Sequence, residues 1–287
     1  MRIFDAHCDT LCKICDGNGT LTHNSYQFDL TRAGKDYMQI FACFISPEYS
    51  KTAMQRFLAL ADIFNKSNTQ GILSVEGADM IECIDDLEPL IDAGVKVITP
   101  VWNYENHLAT GVLGNKYNGL TALGKELVGV LNKKGILIDY SHMNDKSFYD
   151  TLNISSSPII ATHSNSRAIC KNPRNLTDEQ FKKIIRTNGC VGINFYPPFL
   201  NDSNKATIDD IFCHIEHFLE LCGEDNIGFG TDFDGVDCLP EKINGCEDMI
   251  KIIEEMEKRN YTSSIIEKIC YKNWERIFEN ERNNTNV

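Results

Sequence analysis

Eight apolar runs of strand length, each followed by helical sequence and fitted into 287 residues without a linker, predict a single-domain α/β fold, the parallel (β/α)8 TIM barrel. Continuous apolar runs are expected where both faces of a parallel strand are covered. No G-x-G-x-x-G follows an early strand, which sets aside a doubly wound open sheet. The strands are read at 2–9, 37–45, 71–75, 95–101, 136–140, 158–162, 190–195 and 227–230. Helices are read at 52–65, in a segment ending near 92, from about 120 to 134, and at 145–152. Others start at the capping box Thr177-Asp178-Glu179-Gln180 and cover 208–222, 246–258 and 262–278. The Gly- and Asn-containing stretch 10–36 reads as a long loop. The whole of 1–287 reads as one domain with a frayed Asn-rich tail over 280–287.

Composition excludes several function classes. A net charge of −13 argues against nucleic acid, whose phosphates need Lys and Arg. No apolar run approaches the ~20 residues of a membrane span. Met1-Arg2 leads straight into the first strand and leaves no room for a secretory signal, so a cytoplasmic protein is expected. In that reducing compartment the twelve cysteines stay thiols. Cys43, Cys190, Cys213, Cys222 and Cys270 stand in apolar contexts and are expected to behave as small buried hydrophobes.

In such a barrel the active site lies at the C-terminal ends of the strands. Strand alternation puts Asp5, His7 and Asp9 on one face of the first strand. Burying them without partners costs several kcal/mol, and a metal ion removes the difficulty. The plainer reading is a strand end that surfaces into solvent. The third strand ends in Glu76-Gly77, the fourth in Trp102-Asn103, the fifth in Asp139-Tyr140-Ser141-His142, the sixth in His163-Ser164 and the eighth in Thr231-Asp232-Phe233-Asp234-Gly235. His7, Asp9, Glu76, His142 and His163 make five ligands, too many for one zinc with an open position. They suit two metals sharing a carboxylate, with a bridging hydroxide between them. Arg174 offers a planar fork for a carboxylate, against its reading as a surface arginine. Asp232 is placed to accept a proton, against its reading as a loop or capping aspartate; Asp234 is the alternative, but it lies past the strand end.

Together Asp5-Ala6-His7-Cys8-Asp9, Val75-Glu76-Gly77, Ser141-His142, Thr162-His163-Ser164, Asn172-Pro173-Arg174-Asn175-Leu176 and Gly230-Thr231-Asp232-Phe233-Asp234-Gly235 resemble the membrane (renal) dipeptidase family of zinc peptidases. The resemblance runs from residue 3 to about 275. It implies a barrel with two Zn2+ per chain that cleaves dipeptides, L-D dipeptides included, by a metal-bridging hydroxide. By matching motifs it implies that His7 and Asp9 bind one zinc, His142 and His163 the other, and that Glu76 bridges. Arg174 would hold the substrate's C-terminal carboxylate and Asp232 would handle the proton. A homodimer is also implied. The chain is expected to depart from the animal members in lacking a leader or lipid-anchor tail, and in being shorter. It also has Trp102-Asn103 where they carry a substrate-contacting histidine. That contact passes to Asn103, to the nearby His107, or to neither.

Several rival readings compete with this one. Cys8, Cys12 and Cys15 have the C-x3-C-x2-C spacing of radical SAM iron–sulfur enzymes, but Ile14 stands where an aromatic is usual and no Gly-Gly-Glu-Pro follows. Another barrel hydrolase, acting on lactones, cyclic amides or phosphoesters, often has a second histidine where Asp9 stands. A non-catalytic binding protein is disfavoured because all five ligands and Asp232 are present. His214 and His217 lie off the apolar stripe of their helix and are expected to face solvent.

Overall fold

Eight parallel strands follow one another around the sheet: β1 (Ile3–Cys8), β2 (Tyr37–Phe44), β3 (Ile72–Glu76), β4 (Val95–Thr99), β5 (Leu137–Ile138), β6 (Ile160–Ala161), β7 (Cys190–Ile193) and β8 (Ile227–Phe229). The structure is a computed structural model that describes residues 1–203 and 205–284. Hydrogen-bonded order runs β5-β4-β3-β2-β1-β8-β7-β6. The parallel bridge Asp139↔Ile160, with Tyr140 N–H donating to Ile160 O at 2.8 Å, joins the two ends and closes the barrel. All eight predicted strands are present.

Two apolar layers hold the barrel. Inside, Phe4, Ala6, Ile40, Val97, Leu137, Ile160 and Cys190 cluster with Trp274 and Ile277, so the helix Asn273–Asn284 plugs the end opposite the strands' C-termini. Trp274 spends its indole N–H on Phe229 O at 3.0 Å. Outside, the second layer lies between strands and surrounding helices. The helix Asp178–Arg186 begins with the expected reciprocal cap, Thr177 and Gln180 each accepting a backbone N–H.

Several expectations are corrected. The stretch 10–36 is not all loop: helices occupy Thr10–Asp16 and Leu30–Ala33. The first lacks a side-chain cap but buries Thr10 and Leu11, so packing overrides the local loop signals. Asp5 does not share a face with His7. Phe4 and Ala6 belong to the inner layer while Ile3 and Cys8 belong to the outer one, so strict alternation must break after Ala6. Pairing with β2 indeed slips between Asp5 and Cys8. The Asp5 carboxylate accepts from Thr231 Oγ1 at 2.6 Å and Tyr37 Oη at 3.2 Å instead.

Cys43, Cys190 and Cys270 are buried as expected, but Cys213 and Cys222 are exposed. The terminal helix continues through Asn284, beyond the expected start of fraying, and Thr285 to Val287 lie outside the described residues. Among the described residues no helix is long and apolar enough to cross a membrane.

His214 is also corrected. It is fully buried, not solvent-facing. Its Nδ1 accepts from Ser166 N–H at 3.1 Å and its Nε2–H donates to Leu200 O at 2.9 Å. His217 bonds Asp178 Oδ1 at 2.8 Å. Two backbone groups left over by neighbouring loops pull the imidazole inward, which an apolar stripe cannot foretell. Burial pushes the His214 pKa down from 6.5 to about 4. Below pH 6.5 the unfolded chain therefore binds a proton that the native one refuses, so this contribution to stability is lost as pH falls towards 4. Relative to His214→Phe, the wild type should lose up to about 3 kcal/mol between pH 7 and 4, measured by urea denaturation at each pH.

Candidate active site

The ends of the strands converge on Glu76, the last residue of β3. Its buried carboxylate divides three imidazoles between its two oxygens. Oε2 lies 3.3 Å from His7 Nε2, while Oε1 lies 3.5 Å from His163 Nε2 and in close contact with His142 Nε2. Asp9 Oδ2 lies 3.6 Å from His7 Nε2, and Asp232 Oδ1 4.0 Å from it. Asp9 occupies the N-cap position of the helix Thr10–Asp16 without capping it, and its Oδ1 has no hydrogen-bond partner. His7 Nε2 likewise has none.

The far nitrogens of the imidazoles are committed. His142 Nδ1 lies 2.8 Å from Asn103 Oδ1, an acceptor, so that nitrogen carries the proton. His163 Nδ1 lies 2.8 Å, and His7 Nδ1 3.3 Å, from Thr162 Oγ1. Thr162 spends its own hydroxyl proton on Asp139 Oδ2 at 2.6 Å, leaving its lone pairs for the two rings. Asp139 also accepts from Thr99 Oγ1 at 2.7 Å and from the N–H groups of Ser141 and Thr162, both at 2.9 Å. The Nε2 atoms of His142 and His163 therefore present lone pairs, and they stand 2.8 Å apart. Two lone pairs facing each other beside a carboxylate oxygen call for a cation. Imidazole and carboxylate are ordinary ligands of zinc, so the donor set fits divalent metal.

Electrostatics follow from burial. Desolvation raises the Glu76 pKa, but the charges of His142 and His7 outweigh it and hold the carboxyl well below its usual range. Burial works against a charged His7, yet Glu76 and Asp9 together raise its pKa well above 6.5, so a metal ion would displace a proton there. Burial, with Arg174 adding, pushes His142 down to about 4. Asp232 is raised to about 7, first by burial and then by Asp9 and Glu76, against the charge of His7 and the hydrogen bond from Asn194. His142 and Asp232 both sit in the left-handed backbone region, at φ 67° and 66°, a strain typical of functional sites.

A cavity of about 710 Å3 opens over this cluster, lined among others by Asp9, Glu76, Trp102, Arg174, Phe199 and Asp232. Arg174 is buried, with Nη2 3.0 Å from His142 Nε2, its guanidinium 5.3 Å from the Phe199 ring, and Nε without a partner. Asn103 also lines the cavity, but its carbonyl oxygen is engaged by His142. His107 lies away from it, exposed and bonded to Asp79 O at 3.0 Å. Cys8 is buried in the outer layer and Cys15 meets Arg56 Nη1 at 3.2 Å.

The strand-end pattern brings up Asp139 and Thr162 but gives them no supporting role, and it passes over Thr99 and Asn194, whose Nδ2 donates to Asp232 Oδ2 at 2.9 Å. Thr99 and Asn194 also lie at or just past strand ends, where the same signal marks them.

A parallel barrel with this histidine and carboxylate cluster at its mouth is that of a metal-dependent hydrolase. The family profile described as membrane dipeptidase, peptidase family M19, matches residues 52–287, and the chain belongs to that family. It is 37% identical over 205 residues to an uncharacterized protein from the pqqA 5' region of Klebsiella pneumoniae, covering 68% of this chain and 75% of that one. It is 31% identical over 232 residues to an uncharacterized dipeptidase of Schizosaccharomyces pombe, covering 77% of this chain and 55% of that protein, about half its length. A Rhodobacter sphaeroides metallopeptidase, solved with a phosphinate mimic of the dipeptide L-Ala-D-Ala, superposes with TM-score 0.89 at 26% identity. That match covers 97% of this chain and 99% of the other.

Two changes test the site. A Cβ on Gly235 would come within 2.2 Å of Asp9 Oδ2 and 2.3 Å of Asp232 Oδ1. Gly235→Ala should therefore weaken metal binding about tenfold with the fold intact, read by chelator competition and circular dichroism. Asn194→Ala removes a hydrogen bond that lowers the Asp232 pKa, so the acid limb of the kcat/KM profile should move to higher pH.

Proposed function

We propose that the chain is a binuclear zinc dipeptidase that hydrolyses the peptide bond of dipeptides, L-D dipeptides included. The observation that carries this reading is the division of Glu76, one oxygen towards His7, beside which Asp9 stands, and the other towards His142 and His163. That is the arrangement a carboxylate bridging two metals requires. His7 and Asp9 would hold one zinc, and His142 and His163 the other. The dipeptide mimic bound by the Rhodobacter sphaeroides relative supports the substrate class.

Once bound, the pair supplies Lewis-acid polarisation of the scissile carbonyl and a water acidified enough to act at neutral pH. The chain's own residues do the rest. Arg174, half-freed of partners and backed by Phe199, takes the substrate's C-terminal carboxylate through its planar fork. Asp232, with its pKa near 7, removes a proton from the attacking water and delivers it to the leaving amine as the C–N bond breaks. Asn194 aims Asp232 by holding its other oxygen. Asn103 acts on His142, keeping the proton on Nδ1 so that Nε2 stays a ligand, rather than on substrate. Asp139, through Thr162, does the same for His163 and His7.

Elemental analysis of the purified protein should find about two zinc per chain, and Glu76→Gln should lose at least one. Asp232→Asn should keep both ions while kcat on L-Ala-D-Ala falls by about 10²–10⁴. A zinc-loaded protein that leaves a broad panel of L-L and L-D dipeptides intact, yet opens a lactone or cleaves a phosphoester, would replace this reading with the rival barrel hydrolase.

A further inference from the structure

His214 lies outside the metal cluster and outside the cavity, in the middle of the helix Ile208–Glu220. Its two ring nitrogens nevertheless join the two segments that form the Arg174 pocket. Nδ1 accepts from the N–H of Ser166, the residue that opens the loop carrying Arg174. That loop is closed on itself by the bridge Ser166↔Leu176 and by Arg167 N–H donating to Leu176 O at 2.7 Å. Nε2–H donates to Leu200 O, at the end of the short helix Pro197–Leu200. The neighbouring Phe199 supplies the ring against which the Arg174 guanidinium rests.

The pocket depends on the spacing of these segments. Arg174 has no carboxylate partner to locate its guanidinium, only the Phe199 ring and His142 Nε2. Asn175, next in the chain, ties the same two segments by donating to Cys170 O at 2.9 Å and Phe199 O at 2.8 Å. Asn165 and Asn172 also join them, donating to Phe199 O at 3.3 Å and Pro198 O at 3.2 Å, and His214 is the tie that reaches both Ser166 and Leu200 from a third element. It also fixes its own tautomer, because the Ser166 N–H requires a bare Nδ1 and Leu200 O requires a protonated Nε2. His217, one turn on, binds Asp178 and serves a different junction.

We propose that His214 is a positioning residue for substrate-carboxylate recognition, setting the distance between the Arg174 loop and the Phe199 wall. The inference rests on Arg174 being the carboxylate site. It makes His214 contribute to ground-state binding of the free carboxylate, and so to KM, without contact to substrate or metal.

The test is steady-state kinetics of the zinc-loaded enzyme on L-Ala-D-Ala for four single variants and one double. His214→Phe loses both hydrogen bonds. His214→Asn keeps an acceptor near Ser166, and His214→Gln keeps a donor near Leu200. Arg174→Gln should raise KM by about 100-fold, as expected on losing a charge-assisted pair. His214→Phe should raise KM about tenfold with kcat within about twofold and zinc content unchanged, and the Asn and Gln variants should fall between. In the double variant His214→Phe should add nothing to Arg174→Gln, because both act through one contact. Full multiplication of the two effects, or an unchanged KM in His214→Phe, overturns the positioning role while leaving Arg174 in place. An unchanged KM in Arg174→Gln overturns the carboxylate site itself. If His214→Phe does not fold, Asn and Gln in the Arg174→Gln background decide the same question.

Discussion

A carboxylate held between imidazoles at the mouth of an apolar barrel governs the architecture of this protein. Glu76 is buried, and an isolated buried carboxylate is expensive. It persists because His7 stands against one oxygen and His142 and His163 against the other. That arrangement needs four strands, β1, β3, β5 and β6, to end at one height, which a closed parallel barrel accomplishes. The inner layer sets the barrel's width, and the plug from the terminal helix leaves only the opposite mouth free for chemistry.

The surrounding polar groups keep that cluster usable. Asp139 accepts four hydrogen bonds, and through Thr162 it directs two imidazoles at once. Asn103 directs the third. The left-handed backbone at His142 and Asp232 is strain held in place by these bonds and by the packing of neighbouring strands. Outside this ring, Arg174 and Phe199 form a second small apparatus whose geometry comes from loops. Loops need ties, and Asn175 and His214 supply them.

The strands were legible because each is an apolar run bounded by turn residues, and the clustered histidines and carboxylates because they are polar residues at the ends of those runs. The break in alternation along β1 was not legible. Nothing in Arg2-Ile3-Phe4-Asp5-Ala6-His7 marks it, since it arises from pairing with β2. The same holds for the helix Thr10–Asp16, which lacks a cap and depends on burial of Leu11. His214 was misread for a related reason. Its helix has a clear apolar stripe, but the hydrogen-bonding needs of Ser166 and Leu200 are set by folding, not by periodicity.

What the sequence by itself determined was the fold class, the identity of the residues gathered at the barrel mouth and the kind of chemistry they suit. Those follow from local patterns and from residue type, which the chain carries wherever it goes. Only the tertiary structure decided which oxygen of Glu76 meets which histidine, which nitrogen of each ring holds its proton, and which groups brace Asp232 and Arg174. Those are relations between residues far apart in sequence, as in the His7–Asp232 contact, and they exist only once the barrel has closed.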